Sequence, residues 1–232
     1  MRGHAGTFCK NLKKSTIITD SLICWLDSRN PLSYGGSGTT WSDLSGNSND
    51  GTLVGGIIQD VDDSLIFDGV NDYVTTSIST SLFTSGNATI QMWVKLDSAT
   101  PTYSTSGCWG YGSSTVRSHY PYTNSVAYFD TFRTNRIDAI ALDGAIDRED
   151  YHLITITSER GGFWKFYQND TLLRTVSAQT NINFVNQTIG RSSSALSGVW
   201  FYLKGNIASV YIYNKSLSLT EIQNNLTINQ AI

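Results

Sequence analysis

Two groups of aromatic side chains have the chemistry of a binding surface. Trp109, Tyr111, Tyr120 and Tyr122 fall in PTYSTSGCWGYGSSTVRSHYPYTN (residues 101–124), a stretch so rich in Gly and Ser that the rings cannot all be core. Trp200 and Tyr202, on either side of Phe201, form the second group. Exposed rings among hydroxyls and amides suit a glycan, because sugar faces are partly apolar while sugar edges need hydrogen bonds. The competing use is to cover loops or to bury at a subunit interface, where Tyr and Trp are also enriched. Catalytic patterns are sparse. There is no G-x-S-x-G elbow, HExxH or P-loop, and the histidines are His4, His119 and His152. Cys9, Cys24 and Cys108 are odd in number and form no CxxC, which argues against a disulfide framework and a cysteine-rich zinc site.

The elements that must position these rings are strands. Thr89 to Leu96 alternates, with Ile90, Met92, Val94 and Leu96 on one face and Thr89, Gln91, Trp93 and Lys95 on the other. Leu65 to Phe67 is a short apolar strand broken by Asp68-Gly69 and resumed at Tyr73-Val74. Further strands are predicted over 21–26, 125–132, 136–142, 152–158, 163–168, 171–176, 187–190 and 205–213. In the last of these, Ile207, Ser209, Tyr211 and Tyr213 are expected opposite Ala208, Val210 and Ile212. Asn169-Asp170 tolerates the left-handed conformation of a two-residue hairpin turn. Residues 27–52 and 101–124 are predicted as long loops with turns, the first pinned by Trp41 and Leu44. Ser218-x-x-Glu221 is a capping box that opens a short helix, with Leu219, Ile222 and Leu226 along one side. The pattern is an all-β, two-sheet antiparallel sandwich with a short C-terminal helix.

Composition sets the class. The 232 residues are 40% hydrophobic and 12% aromatic, enough for one large β domain, expected over 17–232 behind a polar arm at 1–16. Charged residues are only 15%, below the ~25% of an average soluble protein. Net charge is −3 with no basic run beyond Lys10, Lys13 and Lys14, which excludes the clustered basic face of a nucleic-acid binder. No stretch reaches the ~18 apolar residues of a membrane-spanning helix, so no membrane insertion is expected. The N-terminus lacks the apolar run of a secretory signal, giving the expectation of a protein made in the cytoplasm.

Six segments together resemble the laminin-G-like branch of the concanavalin-A-like lectin/glucanase superfamily. They are LIFDGVNDYV (65–74), ATIQMWVKL (88–96), DYHLITIT (150–157), FYQNDTLLRT (166–175), QTIGRSSS (187–194) and LKGNIASVYIYNKSLSLTEI (203–222). Their order and spacing match the family from about Ser64 to Leu226; the main departure is Asn169-Asp170, where the family often has asparagine-glycine. The resemblance implies a jelly-roll sandwich. The segment at 30–53 resembles an extension found in such domains from bacteriophages, other viruses and bacterial surface proteins.

The family further implies one calcium ion, with Asp68, Asn71 and Asp72 as candidate ligands and Asp43, Asn47, Asn49 and Asp50 as a second group; turn-building is the competing use of the same residues. Hydrolases of the superfamily place two carboxylates in a glutamate-x-aspartate-x-x-glutamate strand. Glu149, Glu159 and Glu221 are the only glutamates and none has that spacing, so no enzyme activity is expected. The expected function is a virion-associated structural or adhesion protein: a capsid decoration, head-fibre or tail component. Its partners would be other virion proteins or a host-surface glycan, and it would form a homo-oligomer such as a trimer. The rival reading is a secreted or cell-surface carbohydrate-binding module.

Overall fold

The computed structural model describes residues 16–79, 86–97, 109–111, 116–120, 126–131, 136–141, 150–177, 187–193 and 200–230. The arm expected at 1–16 lies outside them except for Thr16. In chain order the strands are β1 (Leu22–Asp27), β2 (Thr40–Trp41), β3 (Gly51–Val54), β4 (Ile58–Gln59), β5 (Leu65–Asp68), β6 (Tyr73–Thr76) and β7 (Ala88–Leu96). There follow β8 (Trp109–Tyr111), β9 (Val116–His119), β10 (Val126–Thr131), β11 (Arg136–Ala141), β12 (His152–Ser158), β13 (Phe163–Gln168) and β14 (Thr171–Ser177). Last come β15 (Gln187–Ile189), β16 (Arg191–Ser193), β17 (Trp200–Tyr202), β18 (Lys204–Tyr213) and helix α1 (Leu219–Gln230).

One eight-stranded sheet runs β14-β13-β12-β7-β18-β5-β4, and β1 also pairs with β18. The other runs β11-β10-β9-β8-β15-β6-β3-β2, and β16 pairs with β17 as a separate hairpin. The described pairings are antiparallel. β7 lies between β12 and β18 and alternates as its sequence predicts. Ile90, Met92, Val94 and Leu96 enter the inter-sheet core with Phe67, Val74, Ile154, Ile156, Trp164 and Ile189. Each such side chain contributes roughly 1.5–3 kcal/mol by leaving water.

Three expectations change. First, 27–52 is more than loop, because β2 and β3 add two strands to the second sheet and seat Trp41 in the core with no exposed surface. Their brevity hid them: two and four residues carry too little alternation to read. β8 and β9 likewise occupy the predicted loop at 101–124. Second, a bulge between Ile207 and Ser209 breaks the parity of β18, so Ile207 joins Val210 and Ile212 in the core while Ser209, Tyr211 and Tyr213 face away. Third, of the helix face expected at Leu219, Ile222 and Leu226, the last two are buried together with Asn225 and Asn229, while Leu219 is 45% exposed.

α1 covers the outer face of the first sheet. Asn225 donates to Gln91 Oε1 (2.6 Å) and Tyr213 Oη (2.8 Å) and accepts from Ile18 N–H (2.9 Å). The Oδ1 of Asn229 accepts from Ser209 Oγ (2.8 Å), Tyr211 Oη (3.1 Å) and Arg29 (2.9 Å), whose guanidinium also pairs with Asp27 at 3.0 Å. Burial pushes the Tyr211 phenol up to about 12 and raises that of Tyr213. The cap forms as expected: Glu221 Oε2 accepts from Ser218 N–H at 2.8 Å, and Ser218 Oγ accepts from Glu221 N–H at 3.4 Å.

Candidate glycan-binding surface

With the outer face of the first sheet closed by α1, the candidate surface lies where β6 meets the β16–β17 hairpin. The β5–β6 connection delivers Tyr73 to it. Asp68 Oδ1 accepts from Val70 N–H (2.7 Å) and Asn71 N–H (3.2 Å), which closes the Asp68-Gly69 turn. Asp72 is 2% exposed; its Oδ2 accepts from Asp68 N–H (2.9 Å) and its Oδ1 from Gly56 N–H.

Ile189-Gly190-Arg191 then throws Arg191 across Tyr73. Gly190 has φ +80° and an added Cβ would overlap the Phe67 ring, so only glycine fits this step from β15 into β16. Gly190 C=O accepts from Leu203 N–H at 2.7 Å, which sets β16 against the end of β17. The Arg191 guanidinium carbon lies 3.4 Å from the Tyr73 ring centroid. Tyr202 pairs with Arg191 across the hairpin, and its ring centroid lies 6.4 Å from that of Tyr73 at 48°. All three residues are half-buried, with exposed Val70 and Asn71 on the turn that leads to Tyr73. Stacking a guanidinium on a ring is worth roughly 0.5–2 kcal/mol and holds it flat.

Trp109, Tyr111, Trp200 and Tyr202 converge here by backbone. β16 runs beside β8 and β9, Trp109 pairs with Ile189, Tyr111 pairs with Gln187, and Trp200 pairs with Ser193. Tyr202 stands on the surface, whereas Tyr120 does not: it is 2% exposed and packs in the inter-sheet core, so it is withdrawn from the ligand set. Tyr122 lies outside the described residues. Trp93, on the more polar side of its strand, is also covered. It stacks on Tyr151 at 5.9 Å and packs against Leu226 of α1. Tyr73 and Arg191 were not singled out from the sequence. The available signal was Arg191 directly after a strand-ending glycine and opposite an aromatic strand.

The turn residues do not fit calcium. The buried Asp72 carboxylate has an N–H aimed at each oxygen, and Asp68 spends one oxygen on two N–H groups; a cation there would face those donors. The second group is a clasp. Asp43 accepts from Trp25, Ser45 and Asn49 N–H, Asp50 accepts from Asp43 N–H, and Asn47 and Asn49 both donate to Ile23 C=O. Among the described residues no cluster of three or more His, Cys, Asp or Glu could hold a metal. Of the glutamates, Glu159 meets Lys165 and Ser216 at 3.4 Å, Glu221 caps α1, and Glu149 lies outside the described residues. His152 Nδ1 sits 3.3 Å from Asn169 Nδ2 at the strand end.

Comparisons with solved structures agree with this architecture. Botulinum neurotoxin type C, whose cell entry is described as dependent on two ganglioside molecules, superposes with a TM-score of 0.70 at 15% identity, over 91% of this chain and 52% of that one. The binding domain of botulinum neurotoxin DC in complex with SialylT gives 0.69 at 14% identity, over 91% and 52%. Trypanosoma rangeli sialidase in complex with sialic acid gives 0.68 at 16% identity, over 93% and 34%. The chain therefore spans about half of the neurotoxin chains and a third of the sialidase chain. No curated protein sequence matches. A laminin-G-like family model, described as the concanavalin A-like lectin/glucanases superfamily, matches residues 68–223. On that match, the chain belongs to the laminin-G-like family of the concanavalin-A-like lectins and glucanases.

Proposed function

We propose that this domain is a non-catalytic adhesion module that binds glycans through the surface around Tyr73, Arg191 and Tyr202. The observation that carries this reading is the stacked Tyr73–Arg191 pair beside Tyr202, half-buried where β6 meets the β16–β17 hairpin. Rings offer sugar faces an apolar platform. Botulinum neurotoxin type C, whose cell entry depends on two ganglioside molecules, and the neurotoxin DC binding domain in complex with SialylT support the choice of ligand class. A glycan array of the purified protein, run with calcium and then with a chelator, tests it. Specific spots that survive chelation are expected; a blank array with folded protein overturns the reading.

The setting we propose is a virion surface, as a capsid decoration, head-fibre or tail component, with a cell surface as the rival. The low charge and abundant hydroxyl and amide side chains of the chain favour an exposed, adhesive particle protein. Mass spectrometry of purified particles decides it, and absence of the chain from them removes the virion assignment.

A further inference from the structure

Within that glycan-binding reading, on which this inference rests, we infer that the ligand is a linear polysaccharide laid across the strands, along a row of threonines beside Tyr73. Strand register sets the row. Thr40 of β2 pairs with Thr52 of β3, Thr52 with Thr75 of β6, and Thr75 with Thr188 of β15. Residues directly opposite each other in a sheet share a face. Their chain neighbours Trp41, Leu53, Val74 and Ile189 enter the inter-sheet core, so the threonines stand on the outer face of the second sheet. Neighbouring strands lie ~4.8 Å apart, which spreads the row over about 14 Å.

The hydroxyls of this row are open. Among the described residues, those of Thr40, Thr52 and Thr75 have no hydrogen-bond partner; Thr40 and Thr52 are exposed and Thr75 is half-buried. Thr188 closes the row at the hairpin, where it is buried and its Oγ1 donates to Arg191 C=O at 3.2 Å. Tyr73, on the same face of β6 as Thr75, pairs with Val54 of β3, and both are half-buried. The row therefore offers alternating hydroxyls and methyls with an aromatic ring alongside. A chain of pyranose rings has the matching character, apolar on its faces and hydroxylated along its edges. Extended, it repeats on about the spacing of the strands, so successive sugars meet successive threonines. A single terminal sugar reaches only part of the row. An extended peptide fits less well, because it binds through backbone groups at a sheet edge, and on this face those groups are already taken up by the ladder.

The test titrates the purified protein calorimetrically with cello-, laminari- and xylo-oligosaccharides of two to six rings. In at least one series, affinity is expected to rise about ten-fold or more between two and four rings and then to level off as the row fills. Thr52→Val keeps the β-branched shape and removes only the hydroxyl. It is expected to weaken the four-ring ligand about three- to ten-fold with an unchanged denaturant midpoint. The same change at exposed Thr171, on β14 of the other sheet, is expected to leave binding as it is. Affinity independent of length overturns the row, and so does a Thr52→Val protein that binds the four-ring ligand as tightly as wild type. Binding of branched glycans on the array, with no response in the three series, also overturns it while the glycan-binding reading stands. No binding in the series or on the array removes both.

Discussion

Single residues decide whether the candidate surface exists, and Gly190 is the sharpest case. Its φ of +80° and the Phe67 ring against it leave no room for a side chain. Gly190→Ala combines positive-φ strain with overpacking and is expected to cost about 2–4 kcal/mol, read as a lower denaturant midpoint. A variant as stable as wild type would show that the chain can enter β16 another way. Arg191 and Tyr202 differ in kind, because they sit on the half-exposed hairpin. Tyr202→Ala is expected to weaken glycan binding several-fold while shifting stability by no more than about 1 kcal/mol. The motif around Gly190 was legible as family sequence, but its purpose was not. Nothing local in QTIGRSSS says that Arg191 will land on Tyr73, more than a hundred residues away. Tyr120 failed for the reverse reason: a tyrosine among Gly and Ser reads as surface, but the end of β9 carries it into the core.

At the scale of elements, α1 shows what a local pattern can and cannot say. The capping box was readable from Ser218 and Glu221 alone, and it forms. Burial works to raise the Glu221 carboxyl, but hydrogen bonds from Lys215 and Ser218 and the Lys215 charge outweigh it and leave the pKa lowered from 4.5. A lowered folded pKa means stability present above the unfolded value and lost as pH falls through the folded one. Glu221→Gln keeps a capping side chain without charge. Its melting temperature should therefore fall below wild type at pH 7, and the gap should close below about pH 4. A gap independent of pH would mean the charge has no part. The strands followed the same rule: β7, β12 and β13 were long enough for alternation to show, whereas β2, β4 and β17 were too short. The bulge in β18 was invisible because a parity change leaves both registers apolar on one side.

At the scale of the whole molecule, polar contacts close the outer face of the first sheet beneath α1. Thr16 to Ile18 lies along α1, through Thr16 C=O with Asn224 and Ile18 N–H with Asn225. Beneath them, Gln91, Ser209, Tyr211 and Tyr213 are buried and satisfied by Asn225 and Asn229. A buried phenol that must stay neutral has a direct thermodynamic signature. Burial lifts Tyr211 to about 12 and raises Tyr151 and Tyr213 as well, each from 10.0. Above pH 10 the unfolded chain releases phenolic protons that the folded chain retains, so it binds fewer protons and stability must fall as pH rises. That contribution is complete below the unfolded pKa and disappears as pH climbs through the folded one. Tyr211→Phe removes one such group together with its bond to Asn229. It is expected to cost about 1 kcal/mol at pH 8 and to lose stability less steeply than wild type between pH 10 and 12. Denaturant titrations of both proteins across that range, with tyrosinate absorbance followed in parallel, provide the check. Parallel stability curves, or full tyrosine ionisation in the folded protein near pH 10, would mean that α1 does not seal this face.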